Sequence, residues 1–383
     1  MSFSIINIKD LLGRKFEGAS LDDIQGISDY SLFKEAAVNV LSRIDPQETL
    51  RYSSLSVFKD VYDYSPPTDL KDVADIKPQT ASRSDTDNAT KRYLEGFDQD
   101  KNQNDFTLEW RDGSKVLRYS KDVGNVITLH GMDSLTGDGT WDGTAANIVL
   151  DEENPYKGSG SIRADFDTGE YIENDDFDAI DLSDHENKST IFLSGYFPDA
   201  SIVTSIELLW GSSSTVYFSR TTTTPQFGSF RNGWNLIPFN WNGATETGTV
   251  DTENIDFIRI IPTLSSSDTD IKFDNVFSAL PQVRDLVYYS SYLFRSSAGT
   301  FKETPTADTD IVNLDIEAEN IYIYECCQLI AEQLTRPDDS QKYYNKLHGT
   351  NQMTGLYDHY NKRKPGEAIK PQSAWKNFGY KKK

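Results

Sequence analysis

Residues 122–283 place the tightest limit on what this chain can fold into. Glycine, serine, threonine and aspartate dominate there, and no window repeats apolar residues at the helical period. Short alternating or β-branched runs stand between turn residues instead. They are Val126–Leu129, Ala146–Leu150, Gly160–Phe166, Thr190–Tyr196, Ser205–Trp210, Thr215–Phe218, Trp234–Pro238, Phe257–Pro262 and Ile271–Val276. Short strands at this spacing predict a two-sheet β-sandwich of jelly-roll type.

The flanks have a different texture. Leu32, Phe33, Ala36, Ala37, Val40, Leu41 and Ile44 recur at helical spacing behind Ser28 and Asp29, and the helix must stop at Asp45-Pro46. Residues 54–64 read as a strand running into Ser65-Pro66-Pro67, and residues 78–90 as a loop. Phe106, Leu108 and Trp110 alternate, Asp112-Gly113 turns, and Val116, Arg118 and Ser120 return as a hairpin. Residues 284–295 suit either a strand or a helix. Ala318, Ile321, Tyr324, Cys327, Ala331 and Leu334 form a helical stripe over 317–335, and further helical turns carry Tyr343, Tyr344 and Leu347, then Leu356, Tyr357 and Tyr360. The ends of an inserted domain usually lie close together. The expected fold class is therefore α+β with an all-β insertion. A helical, mixed domain made of 1–121 and 284–364 is split by a jelly-roll sandwich over 122–283, and 365–383 follow as an extended tail.

Charge narrows the function. The 38 lysines and arginines face 60 aspartates and glutamates, a net charge of −22, which argues against general nucleic-acid binding. The exception is 361–383, where Lys362, Arg363, Lys364, Lys370, Lys376, Lys381, Lys382 and Lys383 stand against Glu367 alone. With Trp375 among them, these residues make a candidate docking tail for a negative partner, either a neighbouring copy or DNA. No apolar run approaches the ~18 residues of a membrane-spanning helix, and the first residues lack the features of a secretory leader; no membrane partner is expected.

Catalytic patterns are absent. There is no GxSxG elbow, phosphate loop or GxGxxG run. The two cysteines, Cys326 and Cys327, are adjacent, and the four histidines have neither zinc nor HExxH spacing. Glu170, Glu173, Asp175, Asp176 and Asp178 cluster, and Glu173 with Asp175 would share a strand face as a glycosidase pair needs. That segment has turn texture without apolar support, so no catalytic residue is assigned and no enzyme is expected. Asp133, Glu152, Glu153 and Asp274 stand near strand ends, where oxygen-rich loops suit calcium. No ligand spacing follows, and no metal or cofactor is assigned.

Tryptophans are the better candidates, because an exposed indole stacks on a sugar face. Trp234, in GWNLIPF, reads as core. Trp141 and Trp241, each beside turn residues, are the carbohydrate-binding candidates.

Two resemblances follow. GTWDGTAANIVLDEENPYKGSGSIRADF (139–166), GWNLIPFNWNGATETGTVDTENIDFIRI (233–260) and DIKFDNV (270–276) make 126–276 resemble the galactose-binding-like sandwich of carbohydrate-binding modules. The flanks are similar to head-to-tail connector (adaptor or neck) proteins of tailed bacteriophages. The residues that carry this likeness are Tyr30–Ile44, LSVFKDVYDYSPPTDLKDVADIKP (55–78), EAENIYIYECCQLIAEQLT (317–335) and QKYYNKLHGTNQMTGLYDHYNKRK (341–364). The connector resemblance implies a structural virion protein made in the host cytoplasm and placed at the head–tail interface. It would form a homo-oligomeric ring of about twelve copies on a portal protein, beside other neck and tail proteins, with its basic tail touching the portal or packaged DNA. The sandwich resemblance implies the alternative, an adhesion or receptor-binding virion protein that binds carbohydrate.

Overall fold

The computed structural model describes residues 3–16, 24–78, 106–111, 113–119, 124–350 and 352–363. They divide into two compact units. One comprises the described residues of Met1–Ser53, Pro67–Ile76 and Leu286–Lys383; the other comprises those of Ser54–Pro66 and Lys77–Asp285.

The first unit is helical. Its helices are α1 (Ile5–Lys15), α2 (Ser31–Arg43), α3 (Ile316–Gln333), α4 (Pro337–His348) and α5 (Leu356–Arg363). Ile5, Ile8 and Leu12 give α1 a one-sided apolar stripe, which buries against the same core as Phe33, Ala37 and Val40 of α2 and Ile321, Cys326 and Ile330 of α3. The two ends of the chain thus share one hydrophobic core. Asp315 caps α3 by accepting the Ala318 N–H at 2.7 Å. Pro337 opens α4 at a position whose N–H has no helical acceptor. The Tyr322 hydroxyl, fully buried, donates to the Phe33 carbonyl at 2.9 Å and ties α3 to α2. Four short strands, Phe3–Ser4, Phe294–Arg295, Phe301–Lys302 and Ile311–Val312, pair into a small sheet in this unit.

The second unit is a sandwich of two six-stranded antiparallel sheets. In chain order its strands are β1 (Val126–His130), β2 (Asp142–Gly143), β3 (Ala146–Asp151), β4 (Ser161–Phe166), β5 (Ile172–Asn174), β6 (Thr190–Phe197), β7 (Val203–Ser213), β8 (Val216–Thr222), β9 (Gly233–Asn240), β10 (Thr245–Thr247), β11 (Phe257–Leu264) and β12 (Asp268–Ala279). One sheet runs β9-β6-β12-β4-β3, with β1 also on β12; the other runs β10-β8-β7-β11-β5-β2. Alternation fills the space between them. Ile191, Leu193 and Phe197 of β6 and Ile237 and Phe239 of β9 meet Ile206, Leu208 and Trp210 of β7 and Ile258 and Ile260 of β11 in one core.

Two segments that the sequence places with the first 121 residues lie in the second unit. Phe58 packs edge-on against Phe192 at 5.1 Å. Asp63–Tyr64 pairs with Ser114–Tyr119, the return strand of the 106–119 hairpin, and Arg111 holds Asp63 at 2.6 Å. Gly113 takes the hairpin turn at φ +77°; Asp112 lies outside the described residues. Residues 282–290 settle as a strand.

Candidate functional site

Trp141 and Trp241 are core residues, 3% and 1% exposed. Their sequence neighbours are turn residues, but the turns fold each indole back into the end of the inter-sheet space. Trp141 meets His130 edge-on at 5.2 Å, and Trp241 meets Trp210 at 5.5 Å and Phe218 at 5.3 Å. Neither can offer a ring face to a sugar. Trp234 is the reverse case. Asn235, Ile237 and Phe239 of β9 point inward, so Trp234, Leu236 and Pro238 point outward. Its indole N–H donates to the Asn154 carbonyl at 3.1 Å, and Tyr196 and Tyr156 flank the ring at 5.5 and 5.6 Å.

The acidic cluster does not converge. Asp175 lies beyond the end of β5 and is exposed. The Glu170 carboxylate accepts the Asp167 N–H at 2.6 Å, closing a turn. Glu173 alone is on a strand, and its carboxylate is bound by the Arg259 guanidinium. Of the four residues near strand ends, Glu152 and Glu153 are exposed, while Asp133 and Asp274 both accept from the 157–160 stretch. Asp133 accepts from the Ser159 and Gly160 amides and the Ser159 hydroxyl. Asp274 is fully buried: one oxygen accepts the Lys157 N–H at 2.8 Å, and the other has no partner among the described residues. Burial pushes its carboxyl up to about 6, with the Asp133 charge adding to the shift. An orphaned buried carboxylate oxygen is a hard-cation donor. Among the described residues, however, no group of three or more His, Cys, Asp or Glu side chains could hold a metal.

Of the docking-tail candidates, Lys362 lies in α5 and pairs with Asp358 one turn earlier at 2.5 Å. Arg363 ends that helix. Lys364, Lys370, Trp375, Lys376, Lys381, Lys382 and Lys383 lie outside the described residues.

The outer faces of the sandwich carry what the sequence reading missed. A solvent face should alternate to polar residues, yet β7 reads Leu208-Leu209-Trp210 and β11 reads Phe257-Ile258-Arg259-Ile260-Ile261. With Leu208, Trp210, Ile258 and Ile260 inward, Leu209, Phe257 and Ile261 must face outward. Leu209 stands opposite Arg259, and Arg259 opposite Glu173; Phe257 stands opposite Gly211, and Gly211 opposite Tyr217. A Cβ at 211 would come within 2.3 Å of the Val216 carbonyl oxygen, so only glycine fits. Leu209 and Phe257 nevertheless are 4% and 0% exposed. Tyr217 lies against Phe257 at 6.4 Å, and the Arg259 guanidinium sits 5.5 Å from Phe257 and 4.3 Å from the half-buried Tyr171. The result is an apolar floor, a polar centre in which Arg259 donates to Glu173 at 2.6 Å, and a tyrosine on either side. The corresponding outward pair on the other sheet, Phe192 and Phe277, is stacked at 5.2 Å, with Phe58 edge-on to Phe192.

No family model and no curated protein matches the chain. Among solved structures, the sandwich is similar to a family 11 carbohydrate-binding module from Clostridium thermocellum in complex with a β-1,3-1,4-mixed-linked tetrasaccharide. That match has 14% identity and a TM-score of 0.29, and covers 41% of this chain and 96% of that one. A family 30 module of a C. thermocellum cellulosomal cellulase gives 9% identity and a TM-score of 0.30, over 40% and 96% of the two chains. A family 22 xylan-binding domain from Paenibacillus barcinonensis gives 11% and 0.25, over 42% and 97%.

Proposed function

We propose that the sandwich recognises carbohydrate on the outer face of the β7–β11 sheet. The observation that carries this reading is the Leu209–Phe257 floor with Tyr171, Tyr217 and the Arg259–Glu173 pair above it. Leu209 and Phe257 are themselves buried, so the groups that a ligand would meet on this face are the half-buried Tyr171, Tyr217, Arg259 and Glu173. The chemistry suits a neutral sugar. Arg259 and Glu173 cancel each other's charge yet keep donors and acceptors for hydroxyls, and tyrosine rings supply apolar faces for the C–H side of a pyranose. A panel of neutral oligosaccharides tests the reading. The parent should bind at least one, and Tyr217→Ala should weaken that binding about tenfold or more, the equivalent of about 1.4 kcal/mol. Binding that Tyr217→Ala leaves unchanged would refute the assignment of this face.

A second reading concerns the first unit: it is the ring-forming part of a phage neck or head-to-tail connector, a virion protein that displays the sandwich. It rests on the resemblance of the flanks; their shared core supports an insertion into one host unit and nothing finer, and the basic residues of 361–383 would supply a tail for an acidic partner. Mixing the protein with a portal ring and weighing the product by light scattering tests it. A stoichiometric complex that is lost when 365–383 are deleted is the expected result; no association would refute it.

A further inference from the structure

At the edge of the sandwich, where β8 and β9 come side by side, lies a cavity of ≈ 310 Å³. This is the lower end of the ~300–1,000 Å³ range of ligand pockets, room for one or two sugar residues. Phe58 forms an apolar wall, and Thr190, Thr222, Gln226 and Asn240 bring hydroxyls and amides. Among the described residues that line the cavity, Arg220 is the one charged side chain, and none is an aspartate or glutamate.

The walls are fixed by contacts outside the cavity. Phe58 is held edge-on to Phe192 at 5.1 Å, and its backbone N–H donates to the Tyr64 hydroxyl at 2.9 Å. Thr190 and Asn240 are cross-strand partners in the β6–β9 pair. The Gln226 loop is tied down by its N–H to the Leu236 carbonyl at 2.8 Å. Arg220 donates one guanidinium N–H to the Gly243 carbonyl and has no carboxylate partner among the described residues. In a chain of net charge −22, an arginine without a carboxylate partner in an acid-free polar cavity is a selective feature, because most of the surface repels anions.

We propose that this cavity binds a carboxylate-bearing sugar, a uronic or sialic acid residue, with its carboxylate on Arg220, its hydroxyls on the threonines and amides, and an apolar ring face on Phe58. The inference rests on the carbohydrate-binding reading and adds a ligand class: the charge-balanced Arg259–Glu173 face takes neutral sugar, whereas the Arg220 cavity takes acidic sugar.

Calorimetry of the full chain at low salt tests this with galacturonate, N-acetylneuraminate, galactose and acetate as probes, against Asn240→Asp. The aspartate keeps the oxygen that accepts the Asn242 N–H at 3.0 Å, so the turn is preserved while a negative charge enters the cavity. The expected result is that one of the two acidic sugars binds about tenfold or more tightly than galactose and acetate, and that Asn240→Asp abolishes this preference. Equal affinity for galacturonate, N-acetylneuraminate and galactose would overturn the role of Arg220. Equal affinity for acetate would overturn the role of the hydroxyl and amide groups. Unchanged binding by Asn240→Asp would overturn the location. If neutral oligosaccharides bind in a Tyr217-dependent way while no acidic sugar binds, this inference fails alone; if neither class binds, it fails together with the reading beneath it.

Discussion

Asp274 gives the sharpest quantitative expectation. Its carboxyl is fully buried with one oxygen unpartnered, and its value in the fold is pushed up to about 6 from an ordinary value of 3.8. The folded state therefore prefers the protonated acid. Its contribution is fully present below about pH 4, declines as pH rises, and is gone above the folded value near 6. At ~1.36 kcal/mol per unit, two units correspond to roughly 3 kcal/mol of stability lost between pH 4 and pH 7.5. Asp274→Asn cannot ionise and still offers an acceptor to Lys157. Its amide nitrogen inherits the orphaned position, at a cost of about 1–3 kcal/mol, but that cost does not depend on pH. The stability difference, variant minus parent, should thus shift by roughly 3 kcal/mol in favour of the variant between pH 4 and pH 7.5. Urea unfolding followed by tryptophan fluorescence reads it, since Trp141, Trp210, Trp234 and Trp241 all stand in the sandwich. Parallel pH profiles for parent and variant would refute the reasoning.

Three further outcomes follow from the same structure. Trp241→Ala empties a fully packed position between Trp210 and Phe218 and should cost about 3–5 kcal/mol in denaturant unfolding; binding lost without that destabilisation would contradict its placement in the core. Asp315→Ala removes the cap on α3 and should cost about 1 kcal/mol, measured as a lowered urea midpoint of the helical signal. Burial raises the Cys326 thiol well above its ordinary value and pushes Cys327 up to about 12, so a thiol reagent at pH 8 should label neither until the chain unfolds; rapid labelling of the native protein would show the α3 packing to be wrong.

The legible parts of the fold were those where one periodicity dominates. The apolar stripes of α2 and α3 each have a single buried face, and the sandwich strands are separated by strong turn residues, so local pattern and tertiary burial agree there. Trp234 shows how an outward side chain is misread: the apolar look of GWNLIPF suggests core, but the inward phase set by Ile237 and Phe239 turns residue 234 outward. Trp141 and Trp241 fail for the opposite reason, since turn neighbours do not say whether a loop folds its indole over the end of a core. The outward Leu209 and Phe257 did leave a signal, the unbroken apolar runs of β7 and β11, but such a run in sequence is indistinguishable from a strand buried on both faces. Helix α1 also left one, in Ile5, Ile8 and Leu12. The Arg259–Glu173 pair, 86 positions apart, depends on strand register and had no local signature.

Hydrogen–deuterium exchange with a bound neutral oligosaccharide tests the central claim most directly. Slowed exchange over 203–213, 216–222 and 257–264 is the expected result, because these strands carry Leu209, Tyr217, Phe257 and Arg259. Protection confined to other strands, or none at saturation, would contradict the assignment of this sheet face as the carbohydrate site.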